Sequence, residues 1–159
     1  MTDNRLLIGY YRLSMEDDTD NESNSITNQR LLIKDYISTI PELSAMPYQE
    51  FYDDGYSGAS MERPAMQQVL QLVRQNRVQC IVVKDFSRFS RNYIEMGTYL
   101  EQVFPFMGIR FISISDHYDS LDYRGKNSDI EVQFKGLIAD FYVKDQSVKV
   151  KAAVGTRRN

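Results

Sequence analysis

Apolar positions along this chain fall into two rhythms that alternate. Short, nearly continuous apolar runs occur at "RLLIGYYRLS" (5–14), "YQEFY" (48–52), "CIVVKDF" (80–86) and "GIRFISIS" (108–115). Runs of that length, rich in β-branched and aromatic residues, predict strands. Between them the spacing is helical. In "SITNQRLLIKDYISTI" the apolar residues are Ile26, Leu32, Ile33, Tyr36, Ile37 and Ile40, with Ser25 or Ser23 placed to cap the start. Pro64 stands at a first helical position and opens "PAMQQVLQLVRQN". "YIEMGTYLEQVFPFM" reads as helical until Pro105. Strands alternating with helices predict an α/β domain with a mostly parallel central sheet, covered by helices on both faces.

The last segment has a different character. From Ser128 to about Ala153 one unbroken helical pattern carries Ile130, Phe134, Leu137, Phe141 and Val148 on one stripe. Such a helix would be roughly 37 Å long, more than a small α/β body needs to cover its sheet. A stripe that outruns its own domain predicts packing on a second chain. The expected division is therefore an α/β domain over 1–125 and a long oligomerisation helix with the start of a linker over 126–159.

Charge sharpens this picture. Residues 144–159 hold five Lys/Arg and one Asp, a balance of +4 that leaves −7 on the remainder of a chain whose net charge is −3. A basic tail on an acidic body is an asymmetry that points to an anionic partner near the tail. Length and composition fit one soluble globular domain, with 159 residues, 42% apolar and 26% charged. No apolar run is long enough to span a membrane, and no signal peptide precedes the first strand. Cys80, the single cysteine, lies in an apolar run and reads as a buried thiol in a cytoplasmic protein.

In parallel sheets, sites form at the carboxyl ends of the strands. Three polar segments reach that edge. Arg12 and Ser14 end the first strand on one face. The loop "DDGYSGASMER" follows the second strand, and "KDFSRFSR" closes the third. Arg88 and Arg91, three apart, would share one side of a helical turn. Taken singly, each arginine reads as a surface cation. Arg12, Arg63, Arg88 and Arg91 at one edge read as a site for an anion, and a phosphodiester matches the fork of a guanidinium.

Ser14, Ser57, Ser87 and Ser90 are the candidate nucleophiles, and Ser14 is preferred because Arg12 shares its face. The sole histidine, His117, shows no Ser-His-Asp arrangement, so guanidiniums would carry the electrostatic work, as phosphoryl transfer permits. A zinc site has no ligand set, with one Cys and one His. Two other readings stay open. Carboxylates at the edge would suit Mg²⁺ in a receiver-like domain phosphorylated on Asp85. A pure interaction module would use the long helix and no chemistry.

"GYYRLS", "SITNQ", "YDDGYSGASMERP" and "IVVKDFSRFSRN", in that order, resemble the catalytic domain of the serine recombinases, the resolvase/invertase family, in its large-recombinase or transposon-integrase form. The resemblance spans Leu6 to about Lys151. It implies a resolvase-like three-layer fold with a long C-terminal dimerisation helix. It implies a DNA recombinase in which Ser14 attacks DNA and becomes joined to a 5′ phosphate, while Arg12, Arg88 and Arg91 hold the scissile phosphate. Arg63 matches a further active-site arginine, Ser57 the serine of the mobile loop, Gln29 a polar active-site position and Asp54 an acidic one. No metal or cofactor is implied. The partners implied are DNA and further copies of the chain, as a homodimer and a synaptic homotetramer through helix 128–153, in a bacterial, nucleoid-associated setting. Two positions depart from the small-resolvase pattern: Ser87 stands where an acid precedes the first arginine, with Asp85 two earlier, and Ser90 where glycine is common. The family's DNA-reading domains would follow Asn159, so DNA binding by this piece is expected to be weak.

Overall fold

The computed structural model describes residues 3–13, 25–55 and 61–123. Ser14, Ser57 and the helix expected over 128–153 lie outside these residues, as does the expected boundary at 125/126. The description below concerns the compact unit that extends to Asp122.

Five strands form one sheet: β1 Leu6–Leu13, β2 Tyr48–Asp54, β3 Val78–Val83, β4 Arg110–Ser113 and β5 Tyr118–Asp119, in the order β2-β1-β3-β4-β5. All neighbours run parallel except β4 and β5. Helices α1 Ile26–Ser38, α2 Pro41–Ser44 and α3 Pro64–Arg74 are followed by α4 Phe86–Phe89, α5 Tyr93–Thr98 and α6 Phe104–Met107. The mostly parallel α/β sheet expected from the alternating pattern is present. Because β1 lies between β2 and β3, the chain reverses its direction of travel across the sheet there. That reversal opens a crevice beyond the carboxyl ends of β1 and β3.

Alternation along β1 sorts its side chains between two cores. Leu7 and Tyr11 join Ile33, Ile37, Leu43, Cys80, Val82 and Ile112 under α1. Tyr10 and Arg12, one residue out of phase, take the opposite face. An aromatic cluster of Phe86, Phe89, Phe104 and Phe111 fills part of the remaining core, with Phe89 edge-on to Phe104 and Phe111. Ser25 caps α1, its hydroxyl accepting from the amide of Asn28 at 3.1 Å.

Three local features were not legible in the pattern. The helix does not stop at Pro105. Residues Tyr99–Val103 form a π turn, in which the Phe104 amide donates to the Tyr99 carbonyl, and α6 continues to Met107. The widened turn makes room for the proline ring. Gly108, at φ +70°, then ends the helix in the left-handed conformation that favours glycine. The fourth strand is short, and β5 returns antiparallel after a turn at whose exposed end His117 sits at φ +53°. Arg110 ties that return with two bonds to Asp119, at 3.0 and 2.6 Å.

Gly9 is required by packing. A β-carbon there would lie 2.3 Å from the Tyr48 hydroxyl and 3.0 Å from its ring carbon. Tyr48 is held in place by a 2.6 Å hydrogen bond to Tyr11. Gly9→Ala should therefore lower stability by about 1–3 kcal/mol in chemical denaturation. Tyr48→Phe, which removes the nearest atom, should return part of that loss; no recovery would mean the clash is not with this side chain.

The same tyrosine pair makes stability pH-dependent. Burial pushes Tyr48 up to about 12, with the nearby Glu50 carboxylate adding to the rise and the Tyr11 bond opposing it. Burial also raises Tyr11, assisted by Tyr48 and Glu50. The folded state thus keeps protons that the unfolded chain releases near pH 10. Their contribution is complete below pH 10 and declines above it, that of Tyr48 being lost as pH rises through about 12. Alkaline unfolding should start in this window, and Tyr48→Phe should flatten the slope measured between pH 10 and 12.

Candidate active site

The crevice starts where two strands part. β1 stays paired with β2 as far as Leu13 opposite Asp54, but its pairing with β3 ends at Gly9 opposite Val82. Backbone groups of Arg12 on that side have lost their ladder and need other partners. Gln29, fully buried on α1, supplies both kinds. Its carbonyl accepts from the Arg12 amide at 3.2 Å, and its amino group donates to the Arg12 carbonyl at 3.0 Å. Glutamine carries a donor and an acceptor on one planar group, which explains the residue type. The Arg12 carbonyl also accepts from Arg88 Nη1 at 2.8 Å.

The Arg12 side chain, fully buried, reaches the opposite wall, where Nη2 donates to the Ser87 carbonyl at 2.8 Å. Arg12 and Arg88 therefore cross: each guanidinium bonds to main chain at or next to the other. This interlock ties the end of β1 to the segment after β3.

That segment is organised by two aspartates. Asp116, in the turn after β4, accepts from the Phe86 amide at 2.8 Å and from the Ser113 hydroxyl at 2.6 Å. It thereby caps α4 from a distant loop. Asp85 accepts from the Ser87 hydroxyl, and its other oxygen lies 3.5 Å from Arg88 Nε. A carboxylate therefore lines up the guanidinium of Arg88, which is 4% exposed.

A second buried unit lies behind the first. The Tyr10 hydroxyl donates to Asp53 Oδ2 at 2.6 Å and accepts from Arg63 Nη1 at 3.1 Å. Asp53 also accepts from the amides of Ala65 at 2.9 Å and Met66 at 3.0 Å, the start of α3. Arg63 goes on to the carbonyls of Arg88, at 3.1 Å, and Phe89. Burial raises the Tyr10 phenol far above its ordinary range, with the charge of Arg63 opposing and the Asp53 bond adding. Burial lowers Arg63 from its ordinary value, against the nearby charges of Tyr10, Asp53 and Glu95.

The model of the resolvase N-terminal domain matches residues 7–159. The chain belongs to the resolvase family. No curated protein sequence matches it. Among solved structures, the N-terminal catalytic domain of TP901-1 integrase is similar at 21% identity and TM-score 0.64, covering 91% of this chain and 98% of that one. A resolvase family site-specific recombinase from Streptococcus pneumoniae gives 20% identity and 0.61, covering 97% of each chain. A serine recombinase from Sulfolobus solfataricus gives 22% and 0.55, covering 98% and 99%. These structures share the fold of this domain.

Within this resolvase domain, the structure brings together Arg12, Gln29, Arg63 and Arg88 of the residues singled out from sequence. Asp54 is exposed, one position beyond the buried Asp53. The helical turn expected to align Arg88 with Arg91 is absent. Helix α4 ends at Phe89, and Ser90 is extended at φ −161° and ψ 140°. The cause is polar capping: the Ser90 hydroxyl accepts from the Asn92 amide at 2.9 Å, and Asn92 Oδ1 caps α5. Arg91 is half-buried, out of helical phase with Arg88. Sequence reasoning placed Asp53 only among the edge carboxylates suited to Mg²⁺, and it missed Tyr10 and Asp116. Tyr10 had a usable signal, since it lies two before Arg12 and so shares its face. Asp116 had none, because it acts across 30 positions of sequence.

A receiver-like site at Asp85 is not supported. Its carboxylate is engaged by Ser87 and Arg88, and the family match points elsewhere.

Proposed function

We propose that this chain is the DNA-cleaving and strand-exchanging domain of a site-specific recombinase of a mobile element, with Ser14 as nucleophile. Enzymes of the resolvase family are serine site-specific recombinases, which exchange phosphodiester bonds. The observation that carries the reading is the crossing of Arg12, from β1, and Arg88, from the segment after β3, at the crevice where β1 and β3 part.

In this mechanism the Ser14 oxygen attacks a DNA phosphorus in line with the 3′ oxygen. The Ser–O–P bond forms, the P–O3′ bond breaks, the hydroxyl proton leaves the serine, and a proton completes the free 3′ hydroxyl. Guanidiniums of Arg12, Arg88 and Arg91 neutralise charge on the non-bridging oxygens, a task that suits their fork. The bond energy stays in the 5′-phosphoserine link, so resealing needs no nucleotide cofactor. In this reading Ser57 and Asp54, the latter at the end of β2, also serve the reaction. Copies of the chain assemble through helix 128–153, first as a dimer and then as a synaptic tetramer, with 1–125 as the catalytic body. Among the described residues no helix is long and apolar enough to cross a membrane, which fits work on DNA in the cytoplasm.

The test is direct. The full-length protein, incubated with DNA fragments flanking its own gene, should yield an adduct that survives denaturation, with the 5′ phosphate on the peptide containing Ser14. An adduct mapped to any other residue, or none with any fragment, overturns the assignment.

A further inference from the structure

The carbonyls that end helix α4 draw on two arginines, and Arg63 serves two of them. A helix leaves its last carbonyls without partners inside the helix. In α4, only four residues long, Ser90 breaks the pattern at once, and Ser87, Arg88, Phe89 and Ser90 lie partly or fully buried. Buried carbonyls need donors. Arginines supply them in succession: Arg12 to Ser87, Arg63 Nη1 to Arg88, and Arg63 Nη2 to Phe89.

We propose that Arg63 is a positioning residue that caps this segment and aims Arg88, and that it does not ligate the DNA phosphate. The inference rests on the recombinase reading and revises the role that family resemblance implies for Arg63. Three observations carry it. Arg63 is 1% exposed, with both terminal nitrogens committed to protein: Tyr10 Oη, two main-chain carbonyls and, at 3.4 Å, the Met61 sulfur. All four partners are uncharged acceptors, and its carbon lies 5.5 Å from the centroid of the Tyr10 ring. To reach a phosphate it would have to strand two buried carbonyls, a costly exchange. Finally, its anchor is oriented. The Tyr10 proton goes to Asp53, so the phenol presents a lone pair to Arg63. Asp53 in turn holds the start of α3 next to Arg63 through two amides. Tyr10 and Asp53 thus fix Arg63, and Arg63 fixes the backbone from which Arg88 projects.

A double-variant comparison separates positioning from ligation. The probe is the DNA fragment that gives an adduct with the wild-type full-length protein. Tyr10→Phe, and Arg63→Ala where it folds, should slow adduct formation about tenfold with unchanged DNA affinity. In an Arg88→Ala background the same changes should add less than about twofold, because a residue that acts by aiming Arg88 has nothing left to aim. A full tenfold penalty that persists in the Arg88→Ala background overturns the proposal, since a residue that meets the phosphate itself would keep its own contribution. Hydrogen exchange needs no DNA and tests the inference even if no fragment is cleaved, a result that would defeat the recombinase reading alone. In Tyr10→Phe the Ser90 amide, bonded to the Phe86 carbonyl, should exchange at least tenfold faster while the β1–β2 ladder is unchanged. Unchanged protection at Ser90 overturns the positioning role.

Discussion

Ser14→Ala in the full-length protein abolishes covalent attachment to DNA and leaves DNA binding intact: this is the largest effect expected of any substitution in the chain. Removing a nucleophile takes away the bond-forming atom itself, so the loss should exceed roughly 10⁴-fold, the scale seen when such a group is deleted. Binding should hold because affinity for DNA rests on many phosphate contacts made elsewhere. The measurement is a pair of gels on one reaction, denaturing for the adduct and native for the complex. An alanine variant that still forms the adduct removes Ser14 from the mechanism. A variant that loses both activities together would show that the position supports binding and would leave the nucleophile unassigned to it.

Arg88→Lys should be the next most damaging. The Arg88 guanidinium spans two structural partners, the Arg12 carbonyl at 2.8 Å and Asp85 at 3.5 Å, from a nearly buried position. Lysine keeps the charge but is a point donor on a flexible stem. It can serve one of these partners or the phosphate, not all three in one plane. Loss of one preorganised donor to a developing oxyanion costs about 10²–10³ in rate. Cleavage should fall by that factor with native binding unchanged, read in single-turnover time courses. A lysine variant within a few-fold of wild type would exclude a fork-shaped clamp at this position. Arg88→Lys should also lower stability less than Arg88→Ala in chemical denaturation, because the charge opposite Asp85 is kept.

These two expectations differ in where they come from. The Ser14 expectation comes from the chain itself: a hydroxyl two residues after an arginine, at the end of an apolar run, within four ordered motifs. The crossing of Arg12 and Arg88 does not. It depends on β1 and β3 parting after Gly9 and Val82, a consequence of sheet order rather than of local pattern. The different settings of Asp53 and Asp54 have the same origin. Adjacent aspartates look alike in sequence, but a strand sends them to opposite faces, and only Asp53 meets Tyr10 and the start of α3. Arg91 shows the reverse failure. A spacing of three suggested a helical turn, and the capping chemistry of Ser90 and Asn92 broke it.

From sequence alone came the α/β class, the order of the first four strands and the main helices, Arg12, Arg63 and Arg88 at one edge, and the family, because periodicity and short motifs are local properties of the chain. The tertiary structure alone decided which polar groups share a bond. Gln29 closing the backbone of Arg12, Asp116 capping a helix 30 positions away and Arg63 serving two carbonyls all follow from one physical need. Where two parallel strands separate or a short helix begins and ends, buried backbone groups lack their regular partners, and side chains from remote segments must supply them.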